Sequence, residues 1–471
     1  MRRDRLIRIK DSRPPEGINS RMLSFDTLKA RGLFDERLPR YTSYPPAPAF
    51  GADVGAGFQA EALRALPPDR PISLYLHIPF CERLCWFCAC RTQGVRSIGP
   101  VAHYLDTLEQ EMALIAAHLP GKLRVRQMHW GGGTPTILPP DMIARLSASL
   151  AGVFTFDTET EFSVEIDPTL VDQDKIDALK AAGMTRASIG VQDFAEAVQA
   201  CIGRLQSHAQ TAEAVAMLRA AGIGSLNVDL VYGLPFQSLT GFSRTLEQVI
   251  GLAPDRIALF GYAHVPHMAQ RQKLIPEAAL PDDRARFALF ERATEMFCAD
   301  GMVPIGIDHF ARSTDSMARA AATGALRRNF QGYTVDGCDT LLGLGASSIS
   351  RFREGFVQNS AQTGAYTKCI RGGGLAGARG YRLTAEDRLR SRIIEMLMCD
   401  YAIDFAELAL TDRDRRSIAP ALAALRAECR GMITETPERL VLSAEARPLV
   451  RRLAHFFDTF TLAEAGFSRV S

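Results

Sequence analysis

The chain has 471 residues, enough for one large catalytic domain and a smaller one, and its 47% apolar and 23% charged residues are those of an ordinary soluble globular protein. A net charge of +2 gives no reason to expect nucleic acid or an anionic membrane as partner. No apolar run reaches membrane-spanning length, and the basic stretch Met1 to Lys10 lacks the apolar segment of a secretory signal.

In chain order, Met1 to about Glu36 is polar and weakly patterned, which predicts a mobile arm, with Met22 as an alternative start. Arg40-Tyr41-Thr42-Ser43-Tyr44-Pro45-Pro46 follows, an extended strap kept from helix by its prolines. Residues 1–60 are thus expected to form an arm and strap. From Ile72 short apolar runs alternate with amphipathic ones. Strands are predicted at Ile72–Ile78, Arg126–Trp130, Glu161–Ile166, Arg186–Val191, Leu226–Tyr232, Ile257–Tyr262 and Val303–Ile307, with helices between them. Repeated strand–helix units imply an α/β fold, a parallel sheet closed or partly closed into a barrel over residues 61–370. Residues 371–380 are glycine-rich and read as a linker. Residues 381–471 read as a mainly helical, winged-helix-like domain, with a short strand pair near Ile433 and Leu440 and a last helix over Ala444–Phe460. Its helices carry no dense basic face, so a structural cap is expected rather than a DNA reader.

Four of the ten cysteines, Cys81, Cys85, Cys88 and Cys90, lie within ten residues just after the first strand, where α/β folds place their chemistry. In a reducing, cytoplasmic compartment such a cluster points to metal ligands or redox groups before disulfides. Three thiolates on one loop suit three irons of a [4Fe–4S] cube and leave the fourth iron open. Structural zinc usually takes two separated ligand pairs, and no second pair appears here. A Cys85-x-x-Cys88 redox motif would leave Cys81 and Cys90 unexplained. The other six cysteines are scattered and read as small buried hydrophobes. The remaining strand ends carry polar residues, among them Gly131-Gly132-Gly133-Thr134, Glu165, Gln192, Asp229 and Tyr262-Ala263-His264. Taken singly, the glycines equally make a tight turn, and the carboxylates equally make helix caps.

Cys81-x-x-x-Cys85-x-x-Cys88 resembles the signature of the radical S-adenosylmethionine (SAM) enzymes. The wider pattern is similar to oxygen-independent coproporphyrinogen III oxidase (coproporphyrinogen dehydrogenase). Its matching segments are the strap, Tyr75-x-His77-Ile78-Pro79-Phe80-Cys81, Cys88-x-Cys90, His129 to Pro135, Gly190 to Phe194, Asp229 to Pro235, Tyr262-Ala263-His264, Asp308 to Arg312 and Arg328 to Tyr333. The resemblance implies a partial (β/α) radical SAM barrel in which Cys81, Cys85 and Cys88 hold one [4Fe–4S] cluster. It implies two SAM molecules per active site. The first would meet Tyr75, Gly132, Glu165 and Ile349; the second would meet Phe87, Gly133, Thr134, Gln192, Arg204, Asp229 and Ala263. A 5′-deoxyadenosyl radical would take a hydrogen from a propionate, and loss of CO₂ and an electron would leave a vinyl group. Done twice, this turns coproporphyrinogen III into protoporphyrinogen IX, with an unidentified electron donor and a monomeric enzyme expected. Arg40, Arg312 and Arg328 are cations for the propionates on charge alone. A haem chaperone of the same lineage, or a radical SAM methyltransferase, is the alternative.

Overall fold

The computed structural model describes residues 23–460. Met22 and the start of the expected arm therefore lie outside the described residues. A single twelve-stranded sheet organises the chain. Its strands in chain order are β1 (Ile72–Ile78), β2 (Val125–Gly132), β3 (Glu161–Ile166), β4 (Arg186–Gln192), β5 (Ser225–Tyr232) and β6 (Arg256–Gly261). β7 (Met302–Ile305), β8 (His309–Arg312), β9 (Leu341–Leu344), β10 (Ile349–Phe352), β11 (Gly355–Asn359) and β12 (Gly377–Arg382) complete it. The spatial order is β12-β11-β10-β9-β1-β2-β3-β4-β5-β6-β8-β7. The run from β9 to β6 is parallel, and both flanks are antiparallel. The sheet is thus a partial barrel with two edges.

β1 shows why the core lies where it does. Ile72, Leu74, Leu76 and Ile78 are buried in the main core, and Ser73 and His77 on the other face are buried too. A strand covered on both faces is what a parallel sheet with outer helices demands. Helices such as Gly99–Ala116 and Pro140–Val153 supply that cover through one apolar stripe each.

Three expectations are corrected. Residues from Phe25 onward are not a mobile arm. Phe25–Ala30 is a helix capped by Ser24, and Phe25, Leu28, Leu33 and Phe34 are buried in one core with Ile393, Leu397 and Leu453. The 371–380 stretch is not a simple linker, because Gly377 to Gly380 begin β12. Gly51 and Gly380 exchange two backbone hydrogen bonds of 2.8 Å, and a Cβ on Gly380 would run into the carbonyl oxygens of Phe356 and Val54. Glycine serves close strand packing here rather than flexibility. The expected last helix is divided: Ala444–Leu449 is a 3₁₀ segment containing Pro448, and only Val450–His455 is α-helical.

The C-terminal part is mainly helical as expected, with helices Ala385–Asp400, Phe405–Leu408 and Asp412–Glu428. A small sheet of Ala402–Asp404, Arg439–Leu442 and Ile433–Glu435 accompanies them. The strap binds this part: the Tyr41 hydroxyl donates to Asp458 Oδ2 at 3.0 Å, Tyr44 Oη lies 3.0 Å from Thr459 Oγ1, and Arg451 donates to the Leu38 and Pro39 carbonyls.

Gly380→Ala should cost about 1–3 kcal/mol of stability through overpacking. Gly364→Ala, in open space near the start of the Thr363–Arg371 helix, should be neutral or stabilising by up to about 1 kcal/mol. Urea denaturation of the two variants checks this; equal stability would remove the account of Gly380.

Candidate active site

The cysteine loop leaves β1 and passes over the carboxyl ends of its neighbours. Its anchor is a backbone pairing with the glycine loop that leaves β2. Gly133 N–H donates to Ile78 O and Thr134 N–H to Phe80 O, both at 2.8 Å. A Cβ on Gly133 would sit 2.5 Å from Phe80 O and 2.8 Å from Ile78 O, so only glycine allows the approach.

Each of the three motif sulfurs receives a hydrogen bond from a different direction. Thr134 Oγ1 donates to Cys81 Sγ at 3.4 Å, Arg204 Nη1 to Cys85 Sγ at 3.6 Å, and the Cys90 N–H to Cys88 Sγ at 3.4 Å. Cys90 itself is exposed. Both its side chain and its amide reach the Cys88 sulfur, and its carbonyl in turn accepts from Arg271 at 3.4 Å. Hydrogen bonding by Cys90 pulls the Cys88 thiol down to about 6 against the opposing effect of burial, favouring the thiolate that ligates metal. Among the described residues no three His, Cys, Asp or Glu side chains are gathered for a single metal ion. A cube does not require such convergence, since each thiolate binds its own iron. Three sulfurs on one loop, each with a polar donor, fit a [4Fe–4S] cube, whose potential such donors tune.

Residues expected at the first SAM converge. Tyr75 stacks on His129 with ring centroids 5.9 Å apart and planes at 14°. His129 Nε2 lies 3.2 Å from Glu165 Oε1, and Glu165 Oε2 accepts the Gly132 N–H at 3.1 Å. Gly131 makes room for that carboxylate: a Cβ there would lie 2.5 Å from Glu165 Oε1. Ile349 starts β10, its backbone lying over Gly343, the register partner of Tyr75. His77 is a hydrogen-bonded core histidine. Burial lowers its pKa. Its Nε2 faces the Arg91 carbonyl at 3.1 Å and must donate, which leaves Nδ1 to accept from the Tyr75 hydroxyl at 3.0 Å.

The second set is more dispersed. Gly133 and Thr134 lie on the β2 exit, while Gln192, Asp229 and Ala263 follow across β4, β5 and the end of β6. Gln192 has φ +69° at a bulge in the β4–β5 pairing. Arg204, mostly but not fully buried, lies between Cys85, the Gly190 carbonyl at 2.9 Å and Asp167 at 3.4 Å. Against burial, Arg204, Thr169 and Arg83 hold the Asp167 carboxyl below its usual range. The Arg204 Nε is buried with no hydrogen bond among the described residues, as is Arg83 Nε. Asp229 accepts from Asn227 Nδ2 at 2.7 Å and Ser188 Oγ at 3.2 Å. Burial, reinforced by the Glu165 charge, raises its pKa to about 6.

Two residues absent from the expectations hold this half together. Gln272 is buried on a 3₁₀ turn, Gln270–Leu274. Its Nε2 donates to Phe87 O at 2.7 Å and Ala263 O at 3.1 Å, and its Oε1 accepts Val265 N–H at 2.6 Å. One amide thus ties the cysteine loop to the end of β6. Asp167 pairs with both Arg83 and Arg204. No spacing rule flags a lone Gln; Asp167 stands two residues after Glu165, at the same strand end. Of the three arginines proposed on charge, Arg312 is engaged by Asp300. Arg328 is buried over the Tyr333 ring with Nε on Arg40 O. Arg328 lines a small pocket beneath the strap, and Arg40 lines the larger open cleft.

A cysteine-bearing loop at the carboxyl ends of a partial parallel barrel defines a radical SAM enzyme, and residues 75–249 match the Radical SAM superfamily model. A relative from Cereibacter sphaeroides named oxygen-independent coproporphyrinogen III oxidase is 51% identical over 452 residues, covering 96% of this chain and all of that protein. The Escherichia coli protein of that name is 38% identical, covering 92% of this chain and 95% of its own. A solved structure of coproporphyrinogen III oxidase from Escherichia coli, described as a radical SAM enzyme, superposes with a TM-score of 0.86 at 37% identity, covering 90% of this chain and 98% of that one. The chain belongs to the oxygen-independent coproporphyrinogen III oxidase family.

Gln272→Leu strands two buried carbonyls and one amide, so it should lose about 1–3 kcal/mol per unpaired group. Hydrogen-exchange protection should fall in residues 85–90 and 263–272; unchanged protection would remove Gln272 from its clamping role. Asp229 has a folded-state pKa above its unfolded value. The folded chain therefore holds more protons between about pH 4 and 6, and stability conferred by this group falls as pH rises through that window. Asp229→Asn should then gain stability relative to wild type above pH 6 and not at pH 4. Denaturation midpoints at both pH values decide it.

Proposed function

We propose that this protein converts coproporphyrinogen III to protoporphyrinogen IX by oxidative decarboxylation of two propionates to vinyl groups, in oxygen-independent haem biosynthesis. The observation that carries the reading is the triple hydrogen bonding of Cys81, Cys85 and Cys88 at the barrel mouth, with the exposed Cys90 beside them. When bound, a [4Fe–4S] cluster and SAM supply a carbon-centred radical, and the protein's task is to bind, orient and shield.

Cys81, Cys85 and Cys88 would hold the cluster. Thr134, Arg204 and the Cys90 amide place positive hydrogen-bond density on the three sulfurs, which favours the more negatively charged reduced state. Glu165 would take the ribose hydroxyls of a first SAM, its position fixed by His129 and Gly132. We assign a second SAM to Phe87, Gly133, Thr134, Gln192, Arg204, Asp229 and Ala263. Gln192, Asp229 and Ala263 are spread along β4 to β6, away from the Tyr75–Glu165 group, which supports two separate places. The buried Nε of Arg204 supports a carboxylate-bearing ligand there. No helix of the described residues is long and apolar enough to cross a membrane. A cytoplasmic monomer fed by an external one-electron donor completes the reading.

Anaerobically reconstituted protein should consume SAM and release protoporphyrinogen IX, identified by mass after oxidation to the porphyrin. Cys81→Ala should abolish both turnover and the cluster's electron paramagnetic resonance signal. Cys90→Ala keeps the backbone N–H and should retain wild-type iron content. Turnover by Cys81→Ala, or loss of iron in Cys90→Ala, contradicts the ligand assignment.

A further inference from the structure

A cleft of about 550 Å³ opens beside the mouth, between the strap, the loop that follows β6 and the start of the Asp283–Ala299 helix. It is a crevice outside the carboxyl ends of parallel strands, the usual place for ligands in such sheets, and its volume suits a ligand of several rings. Ala263 and His264 form its inner wall, so it adjoins the residues clamped to the cysteine loop by Gln272.

Its lining is rich in charge of both signs. Arg37, Arg40 and Arg286 line it. Arg40 Nη2 donates to Gly261 O at 2.9 Å, and the Arg286 guanidinium lies over the Tyr232 ring at 5.5 Å and against Gly261 and Gly233. Two guanidiniums thus flank the end of β6. Behind Arg40 stand Arg328, which holds the Arg40 carbonyl, and buried Arg451. Burial first, then the Arg40 and Arg328 charges, push Arg451 down. One buried carboxylate, Asp308, faces this group. Against burial, His309, Arg328 and Arg40 hold it far below the ordinary carboxylate range, and His309 Nδ1 lies 2.6 Å from its Oδ1. The cleft's other acids are partly committed: Glu277 pairs with His264 at 3.0 Å, and Asp282 caps the helix through Ala285 N–H. Asp283 sits on the same wall. Arg37 is half-buried and has no hydrogen bond or ion pair among the described residues. Half-burying the unpaired Arg37 cation is costly unless an anion joins it.

We infer that this cleft is the docking site for the carboxylate arms of the tetrapyrrole, with Arg37, Arg40 and Arg286 as its carboxylate receptors. The inference rests on the proposed function, since it names where that substrate binds. A guanidinium matches a carboxylate with two parallel N–H donors, which a lysine cannot reproduce. Arms held at the end of β6 bring the rest of the ring system towards Ala263 and the cysteine loop.

The test uses full-length reconstituted protein, with coproporphyrinogen III turnover and fluorescence binding of coproporphyrin III, its air-stable tetracarboxylate, as the two readouts. Arg37→Ala and Arg286→Ala should each raise KM and the coproporphyrin Kd about tenfold, the loss of one charge-assisted hydrogen bond. KM for SAM and iron content should not change. Arg37→Lys should recover only part of the affinity. Glu277→Gln removes an exposed negative charge from the cleft and should tighten binding, which keeps the test decisive even where an arginine variant folds poorly. Wild-type turnover with unaltered KM and Kd in all of these variants overturns the cleft assignment and leaves the proposed function standing. No turnover by the reconstituted wild type overturns the proposed function itself.

Discussion

The site depends on two loops being allowed to touch. Ile78 and Phe80 present carbonyls, Gly133 and Thr134 present amides, and no side chain stands between them. This contact fixes the cysteine loop over the sheet, aims the Thr134 hydroxyl at Cys81 and places Gly132 N–H on Glu165. A methyl group at Gly133 would push the loops apart and displace all three features together. The glycine run therefore has a steric reason and a chemical one, and they are the same reason.

Around that contact the mouth is held by polar groups as well as by the packing of Trp86 and Phe87 on a small apolar cluster that includes Ile202, Val231 and Tyr262. Arg204 bridges Asp167, the Gly190 carbonyl and Cys85; Gln272 bridges Phe87, Ala263 and Val265. Buried networks of this kind are rigid when satisfied and expensive when broken. The strain is local too: Gln192 takes a left-handed backbone conformation at a bulge where two of the candidate ligand-facing strands diverge. Such outliers persist where the surrounding structure overdetermines them.

Much of the fold was legible because burial sets period. β1 and β3 begin and end where their apolar patterns do, and the central strands differ from expectation by a residue or two. The sheet's far flank was not legible. β9 is four residues of Leu-Leu-Gly-Leu, too short to show a period, and β12 is disguised by glycines needed for its contact with Gly51. The cysteine loop and the polar strand ends could be read because each lies in a dense local motif. Gln272 could not, since its partners lie 185 and 9 residues away and nothing in its own neighbourhood marks it. Likewise charge alone proposed Arg312 on equal terms with Arg40; only the fold shows Asp300 beside the first and a cleft beside the second.

The strap has a consequence for the order in which the protein is made. Residues 38–44 emerge early from the ribosome, yet their partners are Arg451, Asp458 and Thr459, among the last described residues of the chain. The cysteine loop is complete once the first fifth of the chain has been synthesised. Until those residues are present, Tyr41 and Tyr44 lack these hydrogen-bond partners, while Arg40 is held through Gly261 and Arg328. The nascent protein thus carries its thiols before the strap is fully seated on the C-terminal part.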